Sequence, residues 1–214
     1  FEDEIRQLVK QRPKLTEQTF QLTEAPHGVE HEIVTTGQPI RCRPRRQNPE
    51  KMVIAKKEFR FLVEMGIAVR LNSPWASPLH ITPKPNGGWR PCGDFRRLNT
   101  VTVPDSYSVP QIHDFANGLA DRKWFSKVDL VKGYHQVPIK LEDQPKTAIS
   151  TPFGLYHFRR MPFGLRNAGA TFQRMMDSIF QEFDFVFVYL DDVLIASKNR
   201  KDHLRHLGLF FDRL

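Results

Sequence analysis

The stretch FVFVYLDDVLIAS, residues 185–197, sets two adjacent aspartates inside an otherwise apolar run. Burying one unpaired carboxylate is costly, and two side by side also repel each other. Neighbouring residues on a regular strand point to opposite faces, so Asp191 and Asp192 serve one place only where that alternation breaks. The flanking runs FVFVY and VLIAS are rich in β-branched residues. They read as a hairpin of two largely buried strands with the aspartates at its tip. Asp is also an ordinary turn residue, and the pair by itself fits a plain turn too.

A third acid sharpens the reading. The apolar strand KWFSKVDL runs into Asp129 and is followed by a Gly-containing turn. Three carboxylates gathered at one sheet edge need a cation, and Mg²⁺ is the natural occupant because it takes oxygen ligands and shares its shell with phosphates. Two such ions about 3.5–4 Å apart form the clamp that polymerases use for in-line displacement at phosphorus. Charge agrees with a polyanionic partner. The chain has 32 Lys+Arg against 24 Asp+Glu, a net +8. Residues 1–30 carry −2 of this, which leaves +10 on the rest. Such a basic body suits nucleic acid or an anionic membrane surface, or is simply a soluble basic exterior.

Other classes fall away. No Walker-type GK[ST] loop, HExxH or GxSxG is present, and HEIVT at 31–35 lacks the second His. Cys42 and Cys92 stand fifty positions apart without zinc-ligand spacing, which fits a reducing compartment. No apolar run approaches the roughly 18 residues of a membrane span, and the polar opening FEDEIRQLVK is no signal peptide. The chain is therefore expected to be soluble and intracellular. At 214 residues, without an initial Met and stopping inside a helical pattern, it reads as a piece of a longer protein with one large domain or two subdomains.

Along the chain, residues 1–47 read as irregular and polar, ending in RCRPRR (41–46), a candidate phosphate-contacting strip. NPEKMVIAKKEFRFLVEMG is an amphipathic helix capped by Asn48 and closed by Gly66. LHIT and WRPCGDF flank the turn PNGG, a hairpin with Lys84 at one shoulder and Arg90 at the other. YSVPQIHDFANGLA reads as a short helix, and TAIST and LYHFRRM as strands around a PFG turn. NAGATFQRMMDSIFQ is a helix whose core stripe is Ala170, Phe172, Met175, Met176 and Ile179, and a last helix starts near Asn199.

YLDD at 189–192, Asp129 in KVDLVKGYHQ, WRPCGDFRRLN at 89–99 and RMPFGLRNAGATFQ at 160–173 together resemble reverse transcriptases, those of gypsy-class LTR retrotransposon Pol polyproteins. The resemblance runs from about Thr35 to the C-terminus. It implies an α+β right-hand polymerase fold, fingers plus partial palm, with an antiparallel sheet and flanking helices. Residues 1–30 would be a linker following the protease region, 31–103 and 137–162 the fingers, and 104–136 and 163–214 the palm. Primer grip, thumb and ribonuclease H would lie further along the polyprotein.

Carried over by position, Asp129, Asp191 and Asp192 would be the catalytic, metal-binding carboxylates, with the Leu130 carbonyl as an extra ligand for two Mg²⁺ ions, or Mn²⁺ instead. Lys84, Arg90, Tyr134, Phe163 and Gly164 would bind the dNTP, the Tyr134 ring disfavouring a 2′-hydroxyl. Phe163 stands where retroviral enzymes carry a glutamine, as it does in gypsy-class enzymes. Asp94, Arg96 and Asn99 would be template-side or structural. The activity implied is RNA-directed DNA polymerisation on a DNA primer and RNA template, in a cytoplasmic element particle whose product can reach the nucleus. A binding remnant without activity, and an assembly surface in a polyprotein, are the alternatives.

Overall fold

The computed structural model describes residues 1–16, 27–85, 87–130, 132–189 and 192–214. In chain order the elements begin with helix α1 (Glu2–Lys10), helix α2 (Pro49–Glu64), strands β1 (Ala68–Arg70), β2 (Ser77–Pro83) and β3 (Trp89–Gly93), and helix α3 (Arg96–Val101). They continue with α4 (Ala116–Leu119), β4 (Trp124–Asp129), β5 (Ile149–Thr151), β6 (Gly154–Phe158), α5 (Ala168–Phe180), β7 (Val186–Tyr189), β8 (Asp192–Ser197) and α6 (Arg200–Arg213). Over the described residues these form two units. One comprises Gln21–Ser106 and Tyr134–Thr171; the other comprises Phe1–Phe20, Tyr107–Gly133 and Phe172–Leu214.

The first unit is built on a five-stranded sheet in the order β1-β6-β5-β2-β3. Helix α2 starts where the Asn48 side chain accepts from the Glu50 N–H at 2.9 Å, satisfying a donor the helix cannot. It ends as Gly66 takes a φ of +67°, and it buries Ala55, Phe59 and Leu62. The sheet is not wholly antiparallel as expected, because β2 pairs in parallel with β5 through Ser77↔Ile149 and Pro78↔Ser150. Those two strands lie too far apart in sequence for any turn signal to reveal their direction.

The second unit carries a three-stranded antiparallel sheet, β4-β8-β7. Helix α6 begins at Asn199, whose side chain accepts from the Asp202 N–H at 2.9 Å, and packs on β8 and β4. Its Phe210 stacks on Phe180 of α5 with ring centroids 4.8 Å apart. In α5 the buried stripe closes on Phe180 while Ile179 is half-buried, a shift of one residue from the expected stripe.

Two readings of this unit are corrected. The opening segment, taken as irregular, contains α1, ordered from outside itself: the Arg12 guanidinium donates to Asp212 at 2.7 Å, Arg200 pairs with Glu4, and Phe1 meets Trp124 at 4.9 Å. Strand β7 is also more open than expected: Val188 is buried, while Val186, Phe187 and Tyr189 are half-buried. Among the described residues no helix is long and apolar enough to cross a membrane.

Candidate active site

Strand β4 alternates regularly, with Trp124, Ser126 and Val128 half-buried and Phe125, Lys127 and Asp129 exposed. Its register with β8 sets Val128 opposite Val193 and Asp129 opposite Asp192. Asp192 in turn faces Tyr189 of β7. Direct cross-strand partners have Cα atoms about 4.5–5.5 Å apart with side chains on the same face. Two acids distant in sequence are thus brought together on the open face of the sheet. Asp191, with Leu190, lies outside the described residues, and among the described residues no group of three His, Cys, Asp or Glu side chains gathers.

A cation is already present beside this pair. The Lys127 ammonium lies 2.9 Å from both Oδ1 and Oδ2 of Asp192. A face that pulls an ammonium onto one of two adjacent carboxylates has the hard oxygen donors and the excess negative charge that a divalent ion requires, so the residues present fit such an ion. The Leu130 carbonyl accepts from the Gly133 N–H at 3.1 Å, which leaves it one lone pair for a second partner.

In the five-stranded unit, β2 and β3 form the expected hairpin, with Thr82 opposite Arg90. Lys84 sits just past β2 and closes the turn through its N–H to the Gly88 carbonyl at 3.0 Å, helped by positive φ at Gly87 and Gly88. The Lys84 and Arg90 side chains are both exposed. Tyr134 and Phe163 meet ring to ring at 4.9 Å, inclined at 41°, and His135 packs edge-on against Phe163 at 6.0 Å.

Behind this ring pair Asn99 is a brace. Its Nδ2 donates to the Gly164 carbonyl at 2.8 Å, and its Oδ1 accepts from the Arg166 N–H at 2.9 Å. Arg166 Nη1 donates back to the Asn99 carbonyl at 3.0 Å. Gly164 has a φ of +91°, open to glycine at no steric cost, and so turns the chain just after Phe163.

Asp94 is a hub. It accepts from Arg96 through Nε at 2.8 Å and Nη2 at 2.7 Å, and from Arg45 at 2.6 Å. The Arg96 guanidinium, acting against burial and aided by Arg45, holds the Asp94 carboxyl far below the usual carboxylate range. These pairs tie the RCRPRR strip to the start of α3. Cys42, Arg43, Arg45, Asp94, Arg96 and Arg97 line a groove of about 440 Å³. Three participants escaped the sequence reading. Lys127 was findable by period-two alternation, being two residues before Asp129. Arg166 and the Arg45–Asp94 pair carry no local signal.

Residues 82–214 match the protein family described as reverse transcriptase (RNA-dependent DNA polymerase). The retrovirus-related Pol polyprotein from transposon opus of Drosophila melanogaster is 45% identical over 155 residues, covering 69% of this chain and 16% of that protein. The corresponding polyprotein from transposon gypsy is 40% identical over 158 residues, covering 70% and 15%. The chain thus spans about one sixth of the length of these curated relatives. Among solved structures, the foamy viral protease-reverse transcriptase in complex with an RNA/DNA hybrid superposes with a TM-score of 0.86 at 22% identity, over 99% of this chain and 29% of that one. This likeness shows the fold, and the expected α+β architecture of polymerase fingers and palm is borne out.

Proposed function

The chain belongs to the reverse transcriptase family, as found in retrotransposon Pol polyproteins, and we propose that it forms the fingers and partial palm of an RNA-directed DNA polymerase that adds dNTPs to the 3′ end of a DNA primer on an RNA or DNA template. The observation that carries this reading is the register pair Asp129↔Asp192 on an exposed sheet face. Asp129, Asp192 and the Leu130 carbonyl, with Asp191 by its place in the YLDD motif, would hold the divalent ions, two Mg²⁺ or Mn²⁺. When bound, such ions stabilise charge on the attacking and leaving oxygens of the phosphoryl transfer.

The chain's other residues orient the substrates. Lys84 and Arg90 offer exposed fixed charge to the triphosphate, Arg90 by chelating two oxygens. Tyr134, backed by Phe163 at 4.9 Å, fills the space a 2′-hydroxyl needs and so selects dNTP. Gly164 allows close backbone approach, and Asn99 fixes that turn. The groove between the RCRPRR strip and α3 receives template phosphates, with Asp94 setting the posture of Arg45 and Arg96. The same reading assigns the chain to a cytoplasmic element particle.

The test is Mg²⁺-dependent dNTP incorporation on a primed RNA template, using a polypeptide that continues past Leu214. Asp129→Asn and Asp191→Asn are each expected to remove several kcal/mol of transition-state stabilisation, roughly a thousandfold in rate. Unchanged rates in either variant refute the assignment. Salt-sensitive template binding with no extension in the parent makes the chain a binding module instead.

A further inference from the structure

Lys127 is an unexpected neighbour for a metal site. It projects from the same exposed face of β4 as Asp129, two residues away, directly opposite Leu194. Asp192 is therefore its diagonal cross-strand neighbour, a separation long side chains span. Lys127 takes up that reach completely, its ammonium 2.9 Å from each carboxylate oxygen. Asp129 lies directly opposite Asp192, and among the described residues no ion pair engages it. The side chains of Lys127 and Asp192 are 65% and 53% exposed, so the pair is open to exchange with ions from solvent.

We propose that Lys127 is an internal counter-ion that holds Asp192 in the metal-free protein and must be displaced when a divalent cation binds there, so that it tunes metal affinity. This rests on the reading of Asp192 as a metal ligand. The physical basis is competition. A divalent ion needs the oxygen lone pairs that the ammonium engages, and it meets a like charge a few ångströms away unless the lysine swings off. Holding Asp192 in this way also relieves the repulsion between the two facing carboxylates before any ion arrives. Lys127 is thus a positioning residue that acts through Asp192.

The experiment measures Mn²⁺ binding to the 214-residue chain, reading free Mn²⁺ by electron paramagnetic resonance at 0.1 M salt. An exposed pair of this kind is worth enough that Lys127→Met is expected to bind Mn²⁺ roughly two- to fivefold more tightly. Lys127→Arg restores the parent affinity. Lys123→Met removes the same charge from an exposed site about four strand residues away, roughly 13 Å and beyond the Debye length of about 10 Å. It is expected to change little. Unchanged or weaker binding in Lys127→Met, or an equal gain in Lys123→Met, overturns the counter-ion role. Asp192→Asn separates the two claims. If it weakens Mn²⁺ binding while Lys127→Met does nothing, only the counter-ion role falls. If Asp192→Asn leaves binding unchanged, the metal-ligand reading falls first.

Discussion

The turn after Phe163 is braced on both sides by the Asn99 amide, which makes Asn99→Ala the most informative single change in the five-stranded unit. The substitution deletes two side-chain hydrogen bonds, from Nδ2 to the Gly164 carbonyl at 2.8 Å and from the Arg166 N–H to Oδ1 at 2.9 Å. A typical net value is about 1 kcal/mol each, and the site is half-buried, so water recovers part of it. The expected loss is about 1–2 kcal/mol, a fall in Tm of roughly 3–6 °C for a chain of this size. Thermal unfolding followed by circular dichroism reads that directly.

The functional consequence is separable from stability, because the brace acts on the turn that directly follows Phe163. If Tyr134 against Phe163 selects the sugar, loosening the turn raises KM for dNTP roughly three- to thirtyfold, lowers discrimination against NTP by a similar factor, and leaves kcat near the parent value. Steady-state kinetics with dNTP and NTP on one primed template, at a temperature below both unfolding transitions, measures the split. An unchanged Tm together with an unchanged KM refutes the brace. A fall in kcat at constant KM refutes its link to sugar selection.

Two further outcomes follow from the titrating groups. Asp94→Asn removes a carboxylate that Arg96 and Arg45 hold ionised, at a cost of about 2 kcal/mol near pH 7. Because that carboxyl titrates far below its unfolded value, the parent's advantage is complete above about pH 4 and shrinks as pH falls further; urea midpoints of both proteins across pH 2–7 check this. In the three-stranded unit, burial pushes His203 and His206 below the ordinary imidazole range, and both Nδ1 atoms meet the Ser197 hydroxyl, at 2.9 and 2.8 Å. Arg205 and Arg122 oppose protonation of His206, while Asp202 and Asp184 favour it. Stability is therefore full above the unfolded value near 6.5 and lost as pH falls below it, and His203→Gln flattens the dependence between pH 7.5 and 5.5 in the same urea assay.

How much was legible in the chain depends on whether the deciding interaction is local. Asn48, Asn199 and Gly66 announced their helix ends because a cap acts within a few residues. The apolar run in KWFSKVDL announced β4 for the same reason, and it ends on Asp129 as read. Helix α1 was missed because Ile5, Leu8 and Val9 are too few to bury it alone, and the charges that fix it, Asp212 and Arg200, lie at the far end of the sequence. The candidate site divides along the same line. Period two places Lys127 on the face of Asp129, and apolar runs bracket Asp191 and Asp192, yet nothing local says which residue of β8 opposes which residue of β4. A slip of one residue turns every β8 side chain to the other face. That slip would bury Asp192 and expose Val193, which is fully buried opposite Val128. The hydrophobic pattern of β8 therefore fixes the face that Asp192 takes, and the pairing with β4 then sets it opposite Asp129 and within reach of Lys127.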